Sequence, residues 1–192
     1  MKKVQSTKIH GLFVMHQEIN SDLRGNFLEI YKQKEFKEKF CQNFNPSQIS
    51  ISISNKNVIR GFHYSINPIG QSKLVTALDG SILDTIVDIR TNSPTFGEVF
   101  QIELNAEEAL TLFVPDGVAH GFSVQTDLAI ILYVMSSEYT PGLEHGINPL
   151  DPDLGINWNV DSPILSEKDK HERNFKDASS LNLLPSWFDY EK

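Results

Sequence analysis

An all-β fold, with two sheets closed face to face as a jelly roll or barrel, is what this sequence predicts, and three observations carry the prediction. Short segments dominated by β-branched and aromatic residues recur along the 192-residue chain with turn residues between them. The run SQISISIS (47–54) alternates Ser or Gln with Ile so strictly that one face must meet a core and the other solvent or a cavity. Helical patterning is confined to 34–40 and to weaker stretches after Ser166 and near Leu181, which makes the helices short and peripheral.

In chain order the expected strands are IHGLFVMH (9–16), NFLEIY (26–31), SQISISIS, NVIRGFHY (57–64), KLVTAL (73–78), SILDTIVDI (81–89), EVFQIEL (98–104), LTLFVP (110–115), GFSVQT (121–126) and LAIILYVM (128–135). Asp79-Gly80 joins two of these apolar runs and reads as a hairpin turn, because Asp-Gly supplies the positive φ values a tight turn needs. From Gly142 the chain turns rich in Pro, Asp and Asn, and Trp158 and Ile164 favour a tail that wraps the body rather than leaving apolar area in water. Nothing repeats and no linker divides the chain, so 1–192 is read as a single domain. Between two such sheets lies a cavity, where function is expected.

Seventeen Lys and Arg against twenty-five Asp and Glu give a net charge of −8, which argues against nucleic acid or an anionic membrane as partner. The lone Cys41 builds neither a disulfide framework nor a thiolate metal site. The N-terminus lacks an apolar run long enough for a signal peptide and no later stretch approaches a membrane span, so the expected location is the cytoplasm.

Four places could carry chemistry. In VIRGFHY, strict alternation sets Arg60, Phe62 and Tyr64 on one face and His63 on the other, unless Gly61 marks a bulge that re-aims it. A core histidine and a functional one both stay open there. Pro115-x-Gly117-x-x-His120 resembles the second motif of the cupin superfamily, jelly rolls in which a turn delivers a histidine into the barrel. Metal-binding cupins also need a His-x-His, whereas Tyr64-Ser65 follows His63, so the expected cavity is metal-free. Tyr133 lies in an apolar strand, where core packing is the ordinary role, and Ser166 with Asp169 reads as a helix N-terminus of capping-box type.

Taken jointly, DLRGNFLE, VIRGFHY, SKLVTALDGSILDTIVDIRTNSPTFGE, VPDGVAHGF, the strand ending at Tyr133, YTPGLEHGINPLDPDLGINW and PILSEKD resemble the dTDP-4-dehydrorhamnose 3,5-epimerases along essentially the whole chain. The resemblance implies a cupin-type double-sheet jelly roll, no cofactor, a dTDP-linked 4-keto-6-deoxyhexose as substrate, and a homodimer that exchanges N-terminal strands. It makes His63 the catalytic base, Asp169 the carboxylate that orients it, Tyr133 the acid on the opposite face of the sugar, and Lys73 the cation near the keto oxygen. His120 would contact the sugar and Arg60 the diphosphate. Arg24, Glu29, Gln48, Ser50, Glu144 and Lys168 match nucleotide-binding positions, and Tyr139 matches the aromatic that stacks on thymine. Relatives on this scaffold include enzymes that invert only C3 or only C5.

The chemistry wants these residue types. Inverting a carbon beside a ketone requires a base, a partner for the enolate and an acid on the other face, and His, Lys and Tyr suit those tasks. The acidic chain would have to concentrate Arg24, Arg60, Lys73 and Lys168 around a dianionic diphosphate. Gln48-Ile49-Ser50 stands where the family often has Gln-Asp-Asn, Ser65 where Gln is frequent, and Val134 where Lys is common. These departures bear on substrate identity.

Overall fold

The computed structural model describes residues 1–40, 44–66 and 70–190; Cys41 lies outside them. Thirteen strands are found among these: β1 (Lys3–Ser6), β2 (Phe13–His16), β3 (Ile19–Asp22), β4 (Gly25–Leu28), β5 (Gln48–Asn55), β6 (Ile59–Ser65), β7 (Lys73–Asp79), β8 (Ser81–Val87), β9 (Val99–Asn105), β10 (Leu110–Val114), β11 (Ala119–Val124), β12 (Leu128–Met135) and β13 (Glu144–Gly146). The helices are short: α1 (Gln33–Phe40), α2 (Glu167–Lys170) and α3 (Phe175–Ser180). None is long and apolar enough to cross a membrane.

Two antiparallel sheets form the body, one in the order β1-β2-β10-β7-β12-β5 and the other β13-β6-β11-β8-β9. Their facing sides share a buried cluster that includes Val75, Leu112 and Ile131 from the first sheet and Ile82, Ile86, Leu104 and Phe122 from the second. This is the cupin-type jelly roll. Strands β3 and β4 pair only with each other, as a separate hairpin.

Asp79-Gly80 is not the tip of a hairpin. Strands β7 and β8 belong to different sheets, so the turn carries the chain across the sandwich. Gly80 does adopt the positive φ of +69° that Asp-Gly predicts, but a Cβ there would lie 2.1 Å from the Leu128 carbonyl oxygen, so it is this corner that requires glycine. Turn chemistry thus reports local backbone shape, not which strand becomes the neighbour. Strands β1, β3 and β13 lack the apolar signal that marks the others, since exposed polar residues dominate two of them and the third is only three residues long.

The tail is tied on through both side chains and backbone, with Ile147, Trp158, Ala178 and Leu184 buried against Ile59, Phe62 and Tyr64. Ile147 exchanges hydrogen bonds with Phe62, and the Ile164 carbonyl accepts from Ile59 N at 2.9 Å. Trp158 is buried beside Phe62, its indole donating to the Pro149 carbonyl at 2.7 Å. Ile164, expected to be covered, remains 54% exposed because its main chain rather than its side chain makes the attachment.

The two sheets hold the site at β6. Strands β6 and β11 pair His63 with His120 and Arg60 with Phe122, so Gly61 and Phe62 oppose the single residue Gly121. This bulge shifts the alternation by one. Phe62 and Tyr64 pack outward against the tail, whereas Arg60 and His63 both face the cavity. Gly61 sits at φ +108°, and a Cβ there would lie 2.6 Å from the His120 carbonyl oxygen and 2.7 Å from the Gly121 Cα. Because both neighbours are backbone, Gly61→Ala is expected to destabilise the fold by about 2–4 kcal/mol, from steric overlap plus a strained φ. Urea unfolding of the two proteins checks this; a loss under about 0.5 kcal/mol, the scale of a neutral surface change, would mean that the bulge does not need glycine.

Candidate active site

Between the sheets opens a cavity of about 300 Å³ whose lining includes Gln48, Ser50, Ser52, Arg60, His63, Lys73, His120, Tyr133, Tyr139 and Glu144. It adjoins a second hollow, lined in part by Arg60, His63, Tyr139, Glu144, Ser166, Lys168 and Asp169. Residues of β5, β7 and β12 supply one wall and those of β6 and β11 the other, so Tyr133 and His63 approach the space from opposite sheets.

His63 Nε2 lies 2.8 Å from Asp169 Oδ1, across 106 residues of chain. The Ser166 hydroxyl accepts from Asp169 N at 3.1 Å, so the first half of the capping box forms as the sequence predicts. The carboxylate, which a capping box would fold back onto the helix start, is turned to His63 instead. Burial alone would raise the Asp169 carboxyl pKa. The His63 hydrogen bond and charge, with lesser help from Ser166 and the Gly61 backbone, outweigh burial and hold it below the usual carboxylate range. The carboxylate is therefore charged at neutral pH, and an acceptor fixed against one ring nitrogen leaves the other free to accept a proton.

Tyr133 Oη meets the Ser52 hydroxyl at 3.2 Å. Its burial, the largest influence, pushes the phenol pKa upward, which keeps the proton in place. Lys73 is 9% exposed, and desolvation lowers its pKa against the opposing pull of Glu144, Asp84 and Asp116. Arg60 Nε donates to the Ser54 hydroxyl at 2.9 Å. Lys168 Nζ donates to Glu144 Oε1 at 3.0 Å. Gln48 is used twice by the protein itself: its amide nitrogen donates to Ser50 Oγ at 3.0 Å and its oxygen accepts from Tyr139 N at 2.7 Å.

Sequence reasoning missed Asp84. This fully buried carboxylate on β8 approaches His120 Nε2 to 2.6 Å, a close contact that is not aligned as a hydrogen bond. The available signal was its phase, since Asp84 falls two residues from both Ile82 and Ile86 and so shares their inward face. A buried carboxylate persists only beside a cation or donor, and the Lys73 ammonium interacts with it electrostatically while His120 lies beside it.

Arg24 and Glu29, by contrast, line neither hollow. Arg24 is turned back onto Asp22 within the exposed β3–β4 hairpin, and Glu29 pairs with Lys32. Of the four expected cations, Arg60 and Lys73 line the cavity and Lys168 the adjoining hollow, whereas Arg24 stays on a hairpin that makes no sheet contact with the body. Of the departures, Ser50 alone faces the main cavity. Ile49 points outward, 66% exposed, and Val134 is buried among Leu74, Phe113 and Phe44 on the far side of β12. Neither can touch a ligand in the cavity. Among the described residues, no three His, Cys, Asp or Glu side chains are grouped to hold a metal ion.

Residues 6–177 match the family model for dTDP-4-dehydrorhamnose 3,5-epimerase. The chain belongs to this family. The dTDP-4-dehydrorhamnose 3,5-epimerase of Streptomyces griseus is 37% identical over 185 residues, covering 96% of this chain and 90% of that protein. A dTDP-4-dehydro-6-deoxyglucose 3-epimerase of a Streptomyces species is 38% identical over 180 residues, covering 93% and 92%. Among solved structures, NovW, a 4-keto-6-deoxy sugar epimerase from Streptomyces spheroides, superposes with a TM-score of 0.95 at 33% identity, over 98% of this chain and 95% of that one. The chain is thus an isomerase of the epimerase type, and its relatives include both two-centre and one-centre enzymes.

Proposed function

We propose that this epimerase inverts C3 and C5 of dTDP-4-dehydro-6-deoxy-D-glucose to give dTDP-4-dehydro-L-rhamnose, without a cofactor. The observation that carries the proposal is a His63–Asp169 pair on one wall of a cavity and a buried phenol, Tyr133, on the other. The C4 carbonyl acidifies the hydrogens on C3 and C5. His63 takes such a proton as base, and the Asp169 carboxylate favours the imidazolium that results. The enolate oxygen is met by Lys73 and His120. Asp84 holds those two groups toward it, and donors of this kind contribute about 3 kcal/mol each to transition-state stabilisation. Tyr133 then returns a proton from the opposite face, and the configuration inverts. Arg60 and Lys168 answer the diphosphate, and Tyr139 offers its ring to the base.

On this reading a single chain leaves the nucleotide end incomplete, since Arg24 stands in the turn of the separate hairpin and Glu29 just beyond its second strand. That hairpin exposes Leu23 and Phe27, and the outer face of β5 exposes Ile49, Ile51 and Ile53. Apolar area of this kind is ordinarily covered by another chain. We therefore take the working unit to be a cytoplasmic homodimer in which Arg24 and Glu29 reach the neighbouring cavity.

Turnover in D₂O tests the activity. Deuterium is expected at both C3 and C5 of the recovered sugar. Label at one carbon only would make the chain a one-centre epimerase, and tight binding without label would make it a nucleotide-sugar binding module. Sedimentation of the purified protein at the monomer mass would remove the dimer.

A further inference from the structure

Strand β5 presents two hydroxyls to the cavity, Ser50 and Ser52, with Ser54 buried on the same side of the strand, while the alternate side chains Ile49, Ile51 and Ile53 are exposed. Each hydroxyl meets a different side chain. Ser50 accepts from Gln48 at 3.0 Å, Ser54 from Arg60 at 2.9 Å, and Ser52 lies 3.2 Å from Tyr133 Oη. The register explains the division. Tyr133 pairs directly with Ser50, but that hydroxyl is engaged by Gln48, so the phenol reaches the next inward position on the diagonal, Ser52.

We infer that Ser52 is a positioning residue for Tyr133, holding the phenol oxygen in the cavity and donating a hydrogen bond to the phenolate that remains after proton delivery. This rests on Tyr133 being the proton donor proposed above. In that step the phenol O–H bond breaks and a C–H bond forms at the enolate carbon. The O–H electron pair stays on the Tyr133 oxygen, the enolate double bond shifts back to restore the C4 carbonyl, and water later returns the phenol proton. The phenolate arises where burial strongly disfavours charge. Asp84 on β8 opposes it further, whereas Arg60 on β6 eases it. The His120 ring on β11 lies with its centroid 6.4 Å from that of Tyr133. Ser52 supplies a direct hydrogen bond, and a hydrogen bond to an ionised partner is about twice as strong as a neutral one.

The test compares Ser52→Ala and Ser52→Thr in the wild-type and Tyr133→Phe backgrounds. Ser52→Ala is expected to lower formation of inverted product about tenfold, to leave deuterium entry driven by His63 within about twofold, and to cost nothing further once Tyr133 is Phe. Threonine, which keeps the hydroxyl, should restore the rate. Equal losses in both backgrounds, or parallel losses of exchange and product, would overturn the assignment.

A second readout needs no substrate. With 3-fluorotyrosine placed at position 133, ¹⁹F NMR titration should show the fluorophenol pKa about one unit higher in Ser52→Ala. An unmoved value would reject the coupling. A moved value in a protein that exchanges no substrate proton would keep the coupling and defeat the epimerase reading.

Discussion

Replacing His63 with alanine is expected to lower epimerisation by about 10²–10⁴-fold, the contribution of a well-placed general base, while nucleotide-sugar binding changes little. The His63 imidazole has one nitrogen held in a hydrogen bond to a charged carboxylate, with 2.8 Å between His63 Nε2 and Asp169 Oδ1. Removing it takes away both the base and the cation that offsets the enolate. Deuterium should then fail to enter either carbon, whereas equilibrium dialysis of the nucleotide sugar should still detect binding through Arg60, Lys168 and Tyr139. Wild-type exchange in that variant would remove His63 as the base. Because the Asp169 carboxyl is held low in the folded state, its pairing with His63 contributes stability in full above the ordinary carboxylate pKa. That contribution is lost as pH falls through the lowered value.

Tyr133→Phe should separate the two halves of the reaction. The variant keeps ring packing against the core cluster and deletes only the hydroxyl, so the fold and His63 are left in place. Proton abstraction continues, and deuterium washes into the substrate as His63 returns label to the face it came from. Inverted product should fall by about 10²–10⁴-fold, because water in this buried wall replaces an aligned acid poorly. Product formation at the wild-type rate would assign the donor elsewhere in the cavity. Together the two variants yield opposite exchange patterns, which a general loss of structure would not produce.

The sequence pointed to these groups unevenly, and the reasons are physical. The alternation at 47–54 identified β5 and its inward hydroxyls because a strand has a side-chain period of two. The same period left His63 ambiguous, since the bulge at Gly61 is set by pairing with Gly121, sixty residues away. Asp84 hid within an apolar strand, its partner His120 delivered by a different turn. Val134 looked like a substrate-facing departure until the facing of Tyr133 assigned it to the opposite side of β12.

What the linear order of residues determined by itself was the all-β class, the approximate position of most strands, and, through the joint match of seven segments, the family and its chemical repertoire. These are local or additive signals, carried by side-chain period, turn composition and residue type. Only the folded chain decided that Arg60 and His63 share a wall, that Asp84 meets His120, and that Arg24 and Glu29 stand apart from the cavity. Each of these depends on strand register or on contacts between distant segments, where a shift of one residue reverses the face a side chain presents.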